Sequence, residues 1–257
     1  MFNVIFPKNT GQRYYNIHYV YVLNILKYLN CAVTYEYRPD FVVTINGKDF
    51  LFDFCDTSEV QKSVLPTFKF HCVKETDQVY AFPPVSFYDW NLYDSLCSVV
   101  FYSAGNSTCI SSRQRPYGDA TDRRTRVQKM LKDTFGSLVL TNLISEEDYL
   151  RDVSKIGLAV FVPGYRNQMI DRGHLKYLAL GCCTISPNLP ELLPFANVLI
   201  PDVHYVRCAD DYSDVIDVIS RCQSDLSFCN TIGQNSKKLF KDSCTPNRLA
   251  TWIEQHL

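Results

Sequence analysis

Short apolar runs alternate with stretches of helical periodicity along most of this chain. That alternation constrains the fold more than any other feature, because it points to strands joined through helices and so to a parallel α/β sheet. Phe2–Phe6 reads as a first strand closed by Pro7. A loop, KNTGQR, leads to a helix from Tyr14 with Tyr19, Val22, Leu23, Leu26 and Leu29 at helical spacing. Residues 32–37, 41–45 and 50–54 read as strands, and Asn46-Gly47 marks a hairpin turn between the last two. Residues 68–73 and 79–82 are two further strand candidates, followed by the Pro83-Pro84 break. The stretch from Ser86 to Ser95 shows no clear period.

A second series begins near Cys97. The run SVVFYSAGN reads as a strand ending in small residues, and a polar, basic loop follows it. A helix is expected from about Asp122, then strands at 137–141, 157–162 and 182–186. Ser145 with Asp148 three residues on, Asp171, and Thr245 before Pro246 each read as helix starts, and Gly181 as a left-handed helix end. Residues 211–221 and the last stretch, with Leu249, Trp252, Ile253 and Leu257 in line, read as amphipathic helices. The fold expected is therefore α/β in two Rossmann-like domains, a small β-rich one over 1–96 and a fuller one over 97–257. The last helix is a candidate to pack back on the first domain.

Composition removes several classes. Twenty-six Lys plus Arg against 27 Asp plus Glu leave a net charge of −1, so no global basic field exists to hold nucleic acid. No apolar run approaches the ~20 residues of a membrane span, and MFNVIF runs straight into Pro7 and Lys8 rather than forming a leader. Eleven cysteines without any Cys-x-x-Cys suit neither a zinc finger nor a disulfide framework; they read as buried free thiols in a reducing, cytoplasmic setting. The aromatic excess, 17 Tyr and 16 Phe, supplies buried area for two cores and leaves room for a homodimer interface.

Ligands of open parallel sheets bind at the carboxyl ends of strands. That selects the loops at 103–121, 163–173 and 186–192. The first offers Gly105 for backbone approach to a phosphate, and Arg113 to pair with its oxygens. Neither a dinucleotide fingerprint nor a P-loop is present. The second, PGYRNQMIDRGH, gathers Gly164, Arg166, Arg172 and His174 around a helix start whose partial positive charge suits a diphosphate. In the third, Glu191 can accept from ribose hydroxyls or serve as a helix-start carboxylate. In the first half, Gly11 and Arg13 belong to an acceptor-side loop. His18, Asp53 and Asp56 are candidate general bases facing a cleft between the domains, with structural roles as the alternative for each.

The stretch VFVPGYRNQMIDRGHLKYLALGCCTISPNLPELLPF at 160–195 resembles the donor-binding domain of GT-B glycosyltransferases, of the group 1 and exostosin-like kinds. Tyr177 to Ile185 fills that family's frame of a helix ending in glycine followed by a short strand. The flanking RTRVQKMLKDTFG and HYVRCADDYSDVIDVI are similar to neighbouring units of the same domain, so the resemblance covers about 97–225. The family's two-Glu motif is not met: Lys176 and Gln168 stand at those places, and Lys176 can instead act as a point charge on phosphate. The resemblance implies a compact glycosyltransferase moving a sugar from a UDP- or GDP-linked donor to a hydroxyl of a glycan, protein or lipid-linked sugar. No Asp-x-Asp triplet stands at a strand end, so metal-independent chemistry and no further cofactor are expected. The alternatives are a non-catalytic nucleotide- or glycan-binding protein of the same fold, and a transferase acting on modified DNA bases.

Overall fold

The computed structural model describes residues 1–8, 13–38, 40–55, 57, 64–84, 87, 90–98, 109–164 and 169–257. In chain order its elements begin with strand β1 (Phe2–Pro7), helix α1 (Arg13–Leu26), and strands β2 (Cys31–Glu36), β3 (Val42–Ile45), β4 (Lys48–Asp53), β5 (Thr67–Lys69) and β6 (Val79–Ala81). Helix α2 (Trp90–Ser98), β7 (Ile110–Ser111), α3 (Thr121–Phe135), β8 (Val139–Leu140), α4 (Glu146–Val153), β9 (Leu158–Val160), α5 (Arg172–Leu180) and β10 (Cys183–Ser186) follow. The chain closes with β11 (Leu192–Leu193), β12 (Asn197–Val198), β13 (Val206–Arg207), α6 (Val215–Ser224), α7 (Leu226–Ser243) and α8 (Pro246–Glu254). The chain is a mixed α/β protein with parallel sheets, divided into two compact units. Unit 1 holds Met1–Tyr88, Glu191–Val198 and Lys241–Leu257; unit 2 holds Asp89–Pro190 and Leu199–Phe240.

Unit 1 is built on a six-stranded sheet in the order β2-β1-β3-β4-β5-β6. Strand β3 is antiparallel to both β1 and β4, while β1 pairs parallel with β2, and β4, β5 and β6 run parallel to one another. The β3–β4 turn places Asn46 at φ 50° and Gly47 at φ 83°, the left-handed pair that a tight hairpin needs. Phenylalanines explain the cohesion of this small unit. Phe50, Phe52, Phe68, Phe70 and Phe82 are all at most 1% exposed, and ring pairs such as Phe52–Phe68 at 5.0 Å and Phe68–Phe82 at 5.5 Å form a continuous aromatic core. Trp252 of α8 joins it, donating its indole N–H to the Ala81 carbonyl at 2.9 Å.

Unit 2 carries a five-stranded sheet in the order β13-β10-β9-β7-β8, every neighbouring pair parallel. Counted along the chain from β7, this is the doubly wound order 2-1-3-4-5, whose topological switch point lies between β7 and β9. Leu158, Val160, Val162 and Ile185 point into one apolar cluster with Val127 and Leu131 of α3, Val215 and Ile219 of α6, and Ile232 of α7. On the opposite face, Ser111 reaches the Tyr177 hydroxyl of α5 at 3.1 Å.

Several helix ends follow the sequence reading. Ser145 caps α4 by accepting from the Asp148 N–H, Asp171 caps α5, Gly181 ends α5 at φ 76°, and Thr245-Pro246 opens α8. Other expectations are corrected. Cys97 ends a helix rather than beginning a strand. The run at 99–106 lies outside the described residues, and the first described strand of unit 2 is Ile110–Ser111, inside what reads as a basic loop. The long helix α7 has no counterpart in the periodicity, since Asn230, Gly233, Asn235 and Ser236 dilute its apolar pattern. Among the described residues no helix is long and apolar enough to cross a membrane.

Gly233 decides how α7 meets the end of α5. A Cβ there would lie 2.1 Å from the Gly181 carbonyl oxygen, a backbone atom that no side-chain rotation can move aside. We expect Gly233→Ala to destabilise unit 2 at or above the top of the roughly 1–3 kcal/mol range for overpacking. Urea unfolding measures it, and a loss under 1 kcal/mol contradicts this packing.

Candidate functional site

The carboxyl edge of the unit 2 sheet is organised by two arginines of α3. Arg124, 6% exposed, spends its whole guanidinium on three segments: Nε donates to the Val162 carbonyl at 2.9 Å, Nη1 to the Arg115 carbonyl at 2.8 Å, and Nη2 to Asp171 Oδ2 at 3.0 Å. Arg123 Nη2 donates to the carbonyls of Pro163 and Gly164, each at 2.8 Å. The segments after β7 and β9 and the start of α5 are thereby tied together. Gln128 adds two bonds from its side-chain amide, to the Ser112 and Gln114 carbonyls.

At this edge the expected donor-binding residues take several different roles. Arg113 is buried and donates from Nη2 to Asp152 Oδ2 at 2.8 Å, while its Nε and Nη1 have no partner among the described residues. Gly164 accepts from Arg123. Arg172 is exposed in the first turn of α5. Asp171 occupies the positive end of that helix, accepting from the Gly173 N–H at 2.8 Å and the His174 N–H at 3.3 Å. Lys176 donates to Glu146 Oε1 at 2.9 Å and is a structural cation here rather than an exposed phosphate partner. Gly105 and Arg166 lie outside the described residues.

His174 is fully buried, stacked on Phe161 with ring centroids 4.6 Å apart. Neither ring nitrogen has a partner among the described residues. Burial drives its pKa down from 6.5 to about 3, so the ring is neutral at physiological pH and contributes no cationic charge.

Most of the buried polar atoms of unit 2 that lack a partner among the described residues stand at one edge, with Asn230 Oδ1 of α7 apart from them. Ser112 Oγ, Arg113 Nε and Nη1, and Gln114 Oε1 follow β7; Ser186 Oγ ends β10; Arg123 Nε and the His174 nitrogens stand on the two helices beside them. Buried polar groups are almost always satisfied, so a concentration of exceptions at the carboxyl edge of a doubly wound sheet has the character of a binding site.

In unit 1, Asp53 and His18 hold structural positions. Asp53 Oδ1 accepts from the Cys55 N–H at 2.9 Å, and Lys69 Nζ lies 3.2 Å from Oδ2, an ion pair with both side chains at most 2% exposed. His18 stacks on Phe54 at 4.2 Å and meets Phe70 edge-on at 5.4 Å. Arg13 opens α1, while its side chain, Gly11 and Asp56 lie outside what is described. Glu191 is the surprise of this unit. It is 3% exposed and pairs with Nδ1 of His71 at 3.0 Å. His71 sits directly beyond β5 at φ 56°, a left-handed conformation that costs a residue with a side chain about 1 kcal/mol or more. The bond from Nδ1 to the Glu191 carboxylate fixes the orientation of the ring. No signal in the sequence marks His71, because its partner lies 120 positions away.

No family model and no curated protein matches this chain. Among solved structures it is similar to the C-terminal domain of a glycosyl transferase group 1 family protein from Francisella tularensis, at 12% identity and a TM-score of 0.36. The match covers 49% of this chain and 64% of that one.

Two outcomes test these assignments. A histidine held neutral in the fold stabilises it fully above pH 6.5 and loses that contribution as pH falls toward about 3, at about 1.4 kcal/mol per pH unit. His174→Leu should remove that slope from the stability profile between pH 6.5 and 4.5; an unchanged slope shows that His174 is not buried neutral. Lys69→Met should cost about 3–5 kcal/mol by stranding the Asp53 carboxylate, and Asp53→Leu combined with Lys69→Met should recover most of it. Denaturant titration of the cycle measures the coupling, and additive costs would show that the pair does not interact.

Proposed function

We propose that this protein is a glycosyltransferase that binds a nucleoside diphosphate sugar at the carboxyl edge of the unit 2 sheet and transfers its sugar to a hydroxyl. The observation that carries the reading is the concentration of partnerless buried polar atoms on Ser112, Arg113, Gln114 and Ser186 at that edge. A diphosphate with its ribose supplies both the acceptors that the Arg113 N–H groups lack and the hydroxyls that Gln114 Oε1 can accept from. Arg172 and Arg115, both exposed, provide positive charge for the leaving diphosphate. His174 offers a neutral N–H. His18 and Asp53 are engaged in stacking and in an ion pair and carry no proton-transfer role in this proposal.

One observation favours a second reading, a nucleotide-binding protein without turnover. Lys176 and Asp171, which stand where a donor site would want charge, are committed to Glu146 and to Arg124.

Thermal-shift and calorimetric titrations with UDP, GDP and their common sugar conjugates test the binding. One nucleotide class should raise the melting temperature. Arg113→Met should weaken its affinity by about ten- to hundredfold, the worth of a charged hydrogen bond. Ser112→Ala serves as the milder variant. A screen in which no nucleoside diphosphate shifts the melting temperature defeats the proposal. Donor binding with neither transfer nor hydrolysis selects the non-catalytic reading.

A further inference from the structure

Unit 2 contains a second cluster with chemical potential, unrelated to the proposed donor site. Cys183 opens β10, Cys222 lies in the last turns of α6, and Cys229 lies in the first turns of α7. Three separate elements thus deliver their sulfurs to one point, where all three Sγ atoms lie within 4.8 Å of one another. All three are buried free cysteines, at 1%, 0% and 6% exposure. Their wider surroundings are the apolar cluster of Val160, Val218, Ile219 and Ile232. Cys229 Sγ also lies 3.1 Å from the Cys222 carbonyl, which ties the two helices at the point of convergence.

We propose that Cys183, Cys222 and Cys229 form a three-coordinate site for a soft monovalent metal ion, Cu(I). The argument rests on spacing and ligand type. An ion with metal–sulfur bonds of about 2.3 Å holds three sulfurs about 4 Å apart in a trigonal plane, so small side-chain rotations suffice to close the site. Thiolate sulfur selects soft ions, and among the described residues no histidine or carboxylate joins the group to supply the fourth donor that zinc requires. Metal binding uses the thiolate form, so loading Cu(I) exchanges the ion for the thiol protons of the sulfurs it binds. Nothing is oxidised or reduced in that exchange.

The test uses the full chain, reduced and kept anaerobic, titrated with Cu(I) against a chromophoric Cu(I) chelator. The wild type should retain one tight equivalent, and that equivalent should raise its melting temperature. X-ray absorption of the one-to-one sample should show three sulfur neighbours. The triple variant Cys183→Ala/Cys222→Ala/Cys229→Ala should hold its first equivalent at least about tenfold less tightly. Should the triple variant fail to fold, the single variant Cys229→Ser decides, because the sulfur count must fall from three to two. Cys31→Ser, at a half-buried cysteine of unit 1, should leave the count unchanged. Equal retention by the wild type and the triple variant, or a wild-type site of two sulfurs or of mixed sulfur and nitrogen, overturns the proposal. So does a sulfur count that Cys229→Ser does not alter.

Discussion

Unit 2 depends on the three-way bond of one buried guanidinium. Arg124 reaches from α3 to the Arg115 carbonyl, the Val162 carbonyl and the Asp171 carboxylate, so the strand ends on both sides of the switch point and the start of α5 are held by a single rigid fork. A lysine offers only a point charge and cannot satisfy three acceptors in fixed directions. Through Asp171, the same bond settles the electrostatics of α5. The helix's positive end already holds a carboxylate.

The same logic recurs through the molecule. Most of its buried charges are spent within the chain: Asp53 on Lys69, Glu191 on His71, Lys176 on Glu146. Removing a charge from water is tolerable only with a partner, and these pairs hold segments far apart in sequence. Against that background the run of unsatisfied atoms on the consecutive residues Ser112, Arg113 and Gln114 after β7 stands out.

Local signals were legible where one or two residues set the backbone. Asn46-Gly47, Ser145, Asp171, Gly181 and Thr245-Pro246 all act through their own φ, ψ or a bond to a neighbouring N–H, and each stands where the sequence puts it. Legibility failed where neighbours in space overrule local pattern. Strand β7 is only Ile110–Ser111, set in polar sequence, and it exists because β8 and β9 flank it and Tyr177 satisfies Ser111. Helix α7 carries Gly233 and several poor helix formers; its apolar face on the unit 2 core and its contact with Gly181 compensate for weak propensity. For the candidate site, the edge of the sheet was foreseeable from the alternation of elements, whereas the state of each side chain was not.

The sequence by itself determined that the chain is α/β, where many of its helices begin or end, and which loops lie at strand ends. Those properties follow from periodicity and from backbone preferences acting over a few residues. Tertiary structure alone decided that His174 is neutral and stacked, that Lys176 and Asp53 are structural ions, that Glu191 orients His71, and that three cysteines from three elements share one point. Burial and pairing at distances of a few ångströms set charge state and reactivity, and the distances between such partners along the chain, 120 residues for His71 and Glu191, leave no local trace for the sequence to display.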